Sequence, residues 1–172
     1  MKKNILVTGR PGVGKTTLVL KVTELADVDV EGFYTREVRF KGRRVGFELC
    51  TFDGEMAVLA HVDSPSRFRV GRYGVDVECL EAVGVAPIER GIRRGSLIVV
   101  DEIGRMELYS KRFREVVLEA LDADTRVFAS IGPQPIPFLQ EIKSRVDCEV
   151  LEISLGNRDT IAEEIISRLS PI

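Results

Sequence analysis

Gly9-Arg10-Pro11-Gly12-Val13-Gly14-Lys15-Thr16 follows directly on the apolar run Ile5-Leu6-Val7 and leads into Thr17-Leu18-Val19-Leu20. A strand, a glycine-rich turn ending in Gly-Lys-Thr and a helix in immediate succession make a cradle for phosphates. The glycines let the backbone curl until several N–H groups converge on one point. Lys15 then reaches the β- and γ-phosphate oxygens, and the Thr16 hydroxyl ligates Mg2+. Leu18, Leu20, Val22 and Leu25 continue as a mostly apolar helix whose positive end faces the same phosphates. The residues expected to bind nucleotide are therefore Gly9, Arg10, Pro11, Gly12, Val13, Gly14, Lys15, Thr16 and Thr17. The ligand they imply is a nucleoside triphosphate.

Beyond this turn the chain divides into two patterns. Residues 32–40 and 45–52 alternate apolar and polar side chains around Lys41-Gly42-Arg43-Arg44, a β-hairpin signal, and Met56 to His61 follows the Asp53-Gly54 turn as a third strand. The stretch from Val62 to Gly74 carries Pro65, Gly71 and Gly74 with Arg67, Arg69 and Arg72, and is expected to be loop. A helix is expected from Asp76 to about Arg94, broken or kinked at Gly84 and Pro87. From there strands at 97–100, 126–130 and 148–153 alternate with helices at 110–121, 136–145 and 158–169. Such alternation builds a parallel sheet between helices, with ligand at the carboxyl ends of the strands.

The chain has 172 residues and 44% hydrophobic content, enough for one buried core, so residues 1–172 are expected to form a single domain. Lys plus Arg is 25 and Asp plus Glu is 27, which gives no general electrostatic reason to bind nucleic acid. Cys50, Cys79 and Cys148 are odd in number and lack C-x-x-C spacing, so buried thiols in a reducing cytoplasm are expected rather than disulfides or zinc. No export signal or membrane span is legible. A protein partner cannot be named from the sequence.

Leu97-Ile98-Val99-Val100-Asp101-Glu102 supplies the second half of a site. Four apolar residues form a strand covered on both faces, and two acids stand at its tip, as in a Walker B motif. Asp101 would hold Mg2+, and Glu102 would orient or deprotonate the water that attacks the γ-phosphate.

Four blocks together resemble the successive signatures of the THEP-type nucleoside-triphosphatases: residues 9–18, residues 32–39, Val100-Asp101-Glu102-Ile103-Gly104-Arg105-Met106-Glu107-Leu108, and Asn157-Arg158-Asp159. The resemblance covers nearly the whole chain. It implies an α/β fold: a P-loop NTPase with a RecA/AAA-like, mostly parallel sheet between helices, to which the antiparallel β-hairpin is an addition. It also implies slow, Mg2+-dependent hydrolysis of several nucleoside triphosphates to diphosphate and phosphate. Arg105 stands where the family is expected to carry lysine. Ala129-Ser130-Ile131-Gly132 departs from an expected Thr-x-Pro, leaving a γ-phosphate-sensing role for Ser130 open.

Arg105 is a further candidate for catalysis, as an arginine finger in cis, against a structural ion pair. Arg67, Arg69 and Arg72 suit either a lid over phosphates or a solvated surface. Asn157 is a candidate nucleotide contact, although capping of the last helix explains it equally well. His61 is expected to be structural, and Phe33 and Tyr34 to be core rather than a base-stacking platform. A small-molecule or nucleoside kinase and a nucleotide-switched binding module remain alternatives to the hydrolase, because the same cradle serves all three.

Overall fold

The computed structural model describes residues 2–169. β1 (Asn4–Thr8) runs into the glycine-rich turn and α1 (Lys15–Leu25). β2 (Val30–Phe40), β3 (Arg43–Thr51) and β4 (Met56–His61) form a meander, and β5 (Arg69–Val70) with β6 (Tyr73–Val75) a short hairpin. A helical stretch then comes in three parts: α2 (Val77–Cys79), a π-helical segment (Leu80–Val85) and α3 (Ala86–Arg94). The chain ends with β7 (Leu97–Ile103), a 3-10 turn (Glu107–Tyr109), α4 (Lys111–Asp122), β8 (Val127–Ile131), α5 (Pro137–Lys143), β9 (Cys148–Glu152) and α6 (Ile161–Leu169).

One nine-stranded sheet joins these strands in the order β5-β6-β4-β3-β2-β7-β8-β1-β9. β2, β7, β8, β1 and β9 are parallel, and β3, β4, β6 and β5 extend the β2 edge antiparallel. This is the expected mostly parallel sheet with an antiparallel addition. β8 lies between β1 and β7, and its register sets Ser130 beside Val7 and Ala129 beside Val100. The turn after β1, the acids of β7 and the Ser130 hydroxyl are thereby brought to one end of the sheet.

The parallel strands are apolar on both sides because both sides are covered. Ile5, Val7, Leu97, Val99 and Phe128 pack on Leu18, Val19 and Val22 of α1 and on Ile161 and Ile165 of α6. Leu6, Ile98, Val100, Ala129 and Ile131 share the other core with Ile88, Phe113, Val116, Leu139 and Ile142. Each such side chain contributes about 1.5–3 kcal/mol on burial. A buried acid, Glu31, fastens α3 to β2. It is 8% exposed and receives Arg90 bidentately at 2.8 and 2.7 Å, with Arg94 at 2.9 Å. The three-way pairing satisfies a carboxylate that would be costly alone.

Several local expectations change. The hairpin turn is only Lys41-Gly42, both with positive φ (49° and 76°), so β3 starts at Arg43. The expected loop at 62–74 contains β5 and the first two residues of β6, which are too short to show a period of two. Gly84 and Pro87 do not end the helical stretch. Pro87 lies in the first turn of α3, where no backbone N–H is needed, and Gly84 lets Leu49, Leu80 and Phe33 close around it. β7 runs on to Ile103, and Leu25 of α1 is exposed rather than core. Cys50 and Cys148 are buried free thiols, whereas Cys79 is only half-buried. No helix among the described residues is long and apolar enough to cross a membrane.

Gly32 sits where β2 meets β7, with φ +121°, and a Cβ there would lie 1.9 Å from the Val99 carbonyl oxygen. Gly32→Ala should therefore destabilise the protein by about 3 kcal/mol or more, through backbone strain and loss of close strand contact. Urea unfolding measures this, and a variant as stable as the parent would show that β2 does not approach β7 so closely.

Candidate active site

The turn after β1 has the geometry its glycines were expected to allow. Gly12 and Gly14 adopt φ +78° and +108°, and Val13 N–H donates to the Arg10 carbonyl at 3.2 Å. Gly9 is constrained by packing, since a Cβ there would lie 2.8 Å from the Ile153 carbonyl oxygen just past β9. α1 starts at Lys15, so Thr16 and Thr17 belong to its first turn, with their backbone N–H groups unpaired within the helix. Lys15 Nζ donates to the Gly9 carbonyl at 2.8 Å and lies 3.9 Å from Glu102 Oε2. Arg10, Pro11, Gly12 and Thr17 are on the surface, and Val13 anchors the turn in the core.

Asp101 is 2% exposed. Its Oδ1 accepts from Ser130 Oγ at 2.5 Å, and its Oδ2 is buried with no hydrogen-bond partner. Burial pushes this carboxyl up. The hydroxyls of Ser130 and Thr16, the Thr35 backbone and the Lys15 ammonium act against that rise. Ser130 thus spends its hydroxyl on the acid next to it.

Glu102 is more open, and its carboxyl too is raised, first by burial, while Lys15 opposes the shift, Asp101 adds to it and Arg105 opposes it. A Cβ on Gly104 would come within 2.5 Å of Glu102 Oε1, so the glycine leaves room for that carboxylate. Arg105 is exposed and makes no hydrogen bond or ion pair among the described residues. It lines the same cavity of about 240 Å³ as Thr16, Thr35, Asp101, Glu102 and Glu107, so the alternative of a structural ion pair is not what the geometry shows.

Glu107 is the residue that sequence reasoning underrated. It is 4% exposed, and its Oε2 accepts from the Gly104 N–H at 3.2 Å. Burial, with Glu102 and Asp101 adding repulsion, raises its carboxyl to about 8. The signal was present in the spacing: a glycine and a glutamate three residues apart, just after two acids on a buried strand.

The other candidates are placed as follows. Asn157 Oδ1 accepts from Ser154 N–H at 2.8 Å and its Nδ2 donates to the Glu152 carbonyl at 2.9 Å, so the side chain ties the β9–α6 loop together. Its neighbour Arg158, not singled out from the sequence, leans on the glycine-rich turn, with Nη1 3.5 Å from the Val13 carbonyl. Arg69 and Arg72 donate to backbone carbonyls of their own hairpin and of Arg44, and Arg67 lies over the Phe68 ring at 4.9 Å. His61 Nδ1 accepts from Asp63 N–H at 3.1 Å, a structural contact. Phe33 is buried, while Tyr34 is half-buried against Phe52 at 5.5 Å between ring centroids.

A divalent cation fits this donor set. Asp101 Oδ2 is an unpaired buried oxygen, Thr16 lines the same cavity with its hydroxyl, and both are hard ligands. Among the described residues no cluster of three His, Cys, Asp or Glu side chains is disposed to hold a metal unaided. Phosphate oxygens and water would have to complete the shell, as Mg2+ commonly requires.

The Glu107 shift has a consequence for stability. In the unfolded chain the carboxyl ionises near 4.5, whereas in the folded protein it stays neutral up to about 8. Its burial therefore costs nothing below the lower value and progressively more as pH climbs toward the higher, by about 1.4 kcal/mol per pH unit. Asp101 and Glu102 are shifted the same way. Stability should fall between about pH 5 and 8, and Glu107→Gln should flatten that fall, leaving the variant a few kcal/mol more stable than the parent at about pH 8. Urea unfolding of both proteins across this range is the measurement, and parallel pH slopes would place the titration elsewhere.

Comparison with known proteins agrees with this geometry. A family model described as NTPase matches residues 4–166. The nucleoside-triphosphatase THEP1 of Thermotoga maritima is 47% identical over 165 residues, covering 96% of this chain and 94% of that one. The crystal structure of THEP1 from Aquifex aeolicus superposes with a TM-score of 0.90 at 38% identity, covering 98% and 99% of the two chains. The solution structure of a human cancer-related nucleoside triphosphatase gives 0.82 at 33% identity, covering 96% of each. With the sheet order, the glycine-rich turn and the acidic strand tip all in place, the chain belongs to the THEP1 family of P-loop nucleoside-triphosphatases.

Proposed function

We propose that this chain hydrolyses nucleoside triphosphates to diphosphate and phosphate, with Mg2+ and with little regard for the base. The observation that carries this reading is the convergence of Lys15, Thr16, Asp101 and Glu102 at one end of the sheet, with Lys15 Nζ 3.9 Å from Glu102 and an unpaired oxygen on Asp101. The backbone N–H groups of residues 12–17 hold the phosphates. Lys15 leaves the Gly9 carbonyl for the β- and γ-oxygens, an exchange of one hydrogen bond for a charge-assisted one. Thr16 and Asp101 hold Mg2+, which neutralises charge on the phosphate oxygens. Ser130 fixes the rotamer of Asp101.

Glu102 orients the attacking water and accepts its proton. Arg105, unpaired and facing the same cavity, is free to swing toward charge that develops on the γ-phosphoryl oxygens. Turnover is taken to be slow, as the resemblance to the family implies. Asn157 spends its amide on its own loop, which supports broad base preference. The net charge of -2 argues against nucleic acid as a partner, and three unpaired thiols suit the cytoplasm.

Phosphate release from ATP, GTP, CTP and UTP, with and without Mg2+ and with no added acceptor, tests the reading. Rates should lie within roughly tenfold of one another, about 1.4 kcal/mol in transition-state binding. A preference for one base beyond about a thousandfold would contradict it. Lys15→Ala should lose both affinity and turnover, and undiminished hydrolysis would remove the site from this end of the sheet.

The two acids should separate. Asp101→Asn should raise the Mg2+ concentration needed as well as lower the rate, whereas Glu102→Gln should lower hydrolysis by about 10²–10⁴ with triphosphate still bound. Normal hydrolysis by both variants would refute the assignment.

A further inference from the structure

The glycine-rich turn has two flanks. On one, Lys15 lies 3.9 Å from Glu102, and Thr16 and Asp101 line the cavity next to it. On the proposed function Lys15 takes the β- and γ-oxygens and the Thr16 hydroxyl takes the metal, which leaves the α-phosphate to the opposite flank, over the first turn of α1. There Gly14, Thr17, Leu18 and Lys21 face Arg158 and Asp159 of the β9–α6 loop across a cavity of about 270 Å³. The stem of Arg158 runs along the turn, with Cδ 3.9 Å from the point that a Cβ on Gly14 would occupy. Its Nη1 stands 3.5 Å from the Val13 carbonyl oxygen, and its Nε is 4.0 Å from the carboxylate of Asp159, a side chain 89% exposed. An arginine that served only to brace the turn would close on that carbonyl to about 2.7–3.2 Å. At the observed distance, with 44% of its side chain exposed, the guanidinium is poised over the turn rather than spent on it. An exposed ion pair as long as the one to Asp159 holds it weakly.

We propose that Arg158 is a nucleotide-binding residue, which takes the α-phosphate in its guanidinium fork while the ribose lies in the cavity between α1 and the β9–α6 loop. The inference rests on the proposed function and adds to it the residue that reads the unreactive part of the substrate. A guanidinium matches two phosphate oxygens at once, and such charge-assisted pairs are stronger than the single long contact Arg158 makes with the Val13 carbonyl. Lys21, one turn along α1 from Thr17, adds a second positive charge to the same wall. The α-phosphate and ribose are common to all nucleotides, so binding energy gathered here is blind to the base. The α-phosphate also stays unchanged from substrate to product. Its contact is therefore equally strong in the ground state and the transition state, and shows in KM and in diphosphate affinity rather than in kcat.

The test compares the full chain with Arg158→Gln, which keeps hydrogen bonding but loses the charge, and Arg158→Lys, which keeps the charge but loses the fork. Phosphate release from Mg·ATP gives kcat and KM. Titration calorimetry with ADP and Mg2+ gives a Kd that does not depend on hydrolysis. Arg158→Gln should raise both the KM for ATP and the Kd for ADP by about tenfold, with kcat within about twofold of the parent, and Arg158→Lys should fall between the two. The retained kcat also shows that the variant folds and that the turn is intact. A KM and a Kd within about twofold of the parent in Arg158→Gln overturn the assignment. A fall in kcat with KM and Kd unchanged overturns it too, and makes Arg158 a brace for the turn. A parent that releases no phosphate yet binds ADP through Arg158 refutes the hydrolase and upholds this contact, whereas a parent that binds no nucleotide refutes both.

Discussion

Asp101 is an acid at the tip of a strand covered on both faces, and much of the site's architecture serves to keep it there. A carboxylate removed from water costs several kcal/mol unless other groups replace its hydration. Here the replacements come from three separate elements: the Ser130 hydroxyl on β8, the Thr16 hydroxyl on α1 and the Thr35 backbone on β2, with the Lys15 charge behind them. Only one strand order supplies all three. With β8 between β1 and β7, Ser130 stands directly beside Asp101, while the glycine-rich turn reaches the acid from one strand further away. Had β1 and β7 been neighbours, the hydroxyl on Oδ1 would be missing. The position left open on Oδ2 is what remains once this support is complete.

The same burial sets the charge balance of the site. Asp101 and Glu102 lie near the half-buried Lys15 and Glu102 also near the exposed Arg105, with Glu107 beside the two acids. Burial is the first cause raising all three carboxyls, and neighbouring acids add to it at Glu102 and Glu107. On the proposed function, a triphosphate arriving with a divalent cation would bring compensating charge, and Lys15, held on the Gly9 carbonyl and 3.9 Å from Glu102, would leave both for the phosphates.

The parallel half of the fold and the phosphate cradle were legible because they depend on local rules. A glycine-rich turn between an apolar strand and a helix carries its own backbone requirement, and Leu97 to Val100 announces a strand covered on both sides by its lack of alternation. The antiparallel half was legible only as strands. Nothing in residues 43–70 says that Phe47, Leu59 and Val70 will meet Met106, since that contact is made across the sheet and depends on β2 lying against β7 through Gly32. β5 is two residues long and is held by pairing with β6, by Arg69 and Arg72 binding carbonyls, and by Tyr109 donating to the Arg69 carbonyl at 2.5 Å. Those are tertiary contacts, invisible to periodicity. At Gly84 and Pro87 the expected break or kink takes the form of a π-helical segment at Leu80–Val85, after which Pro87 stands in the first turn of α3.

The two halves of the sheet therefore divide the chemistry between them. The parallel strands and the turns that follow them carry Lys15, Asp101, Ser130 and Glu107, and their geometry tolerates little change because Asp101 and Glu107 are buried and each depends on its neighbours. The antiparallel extension supplies Phe47, Leu59 and Val70 to the cavity that Glu102 lines, while Thr35, whose backbone supports Asp101, lies on β2. Val70 and Phe47 are only partly buried, so substitution there costs little of the core. The antiparallel extension also supplies Leu49, Leu59, Ala60, Tyr73 and Val75 to the core, so its packing and its cavity wall are built from the same strands.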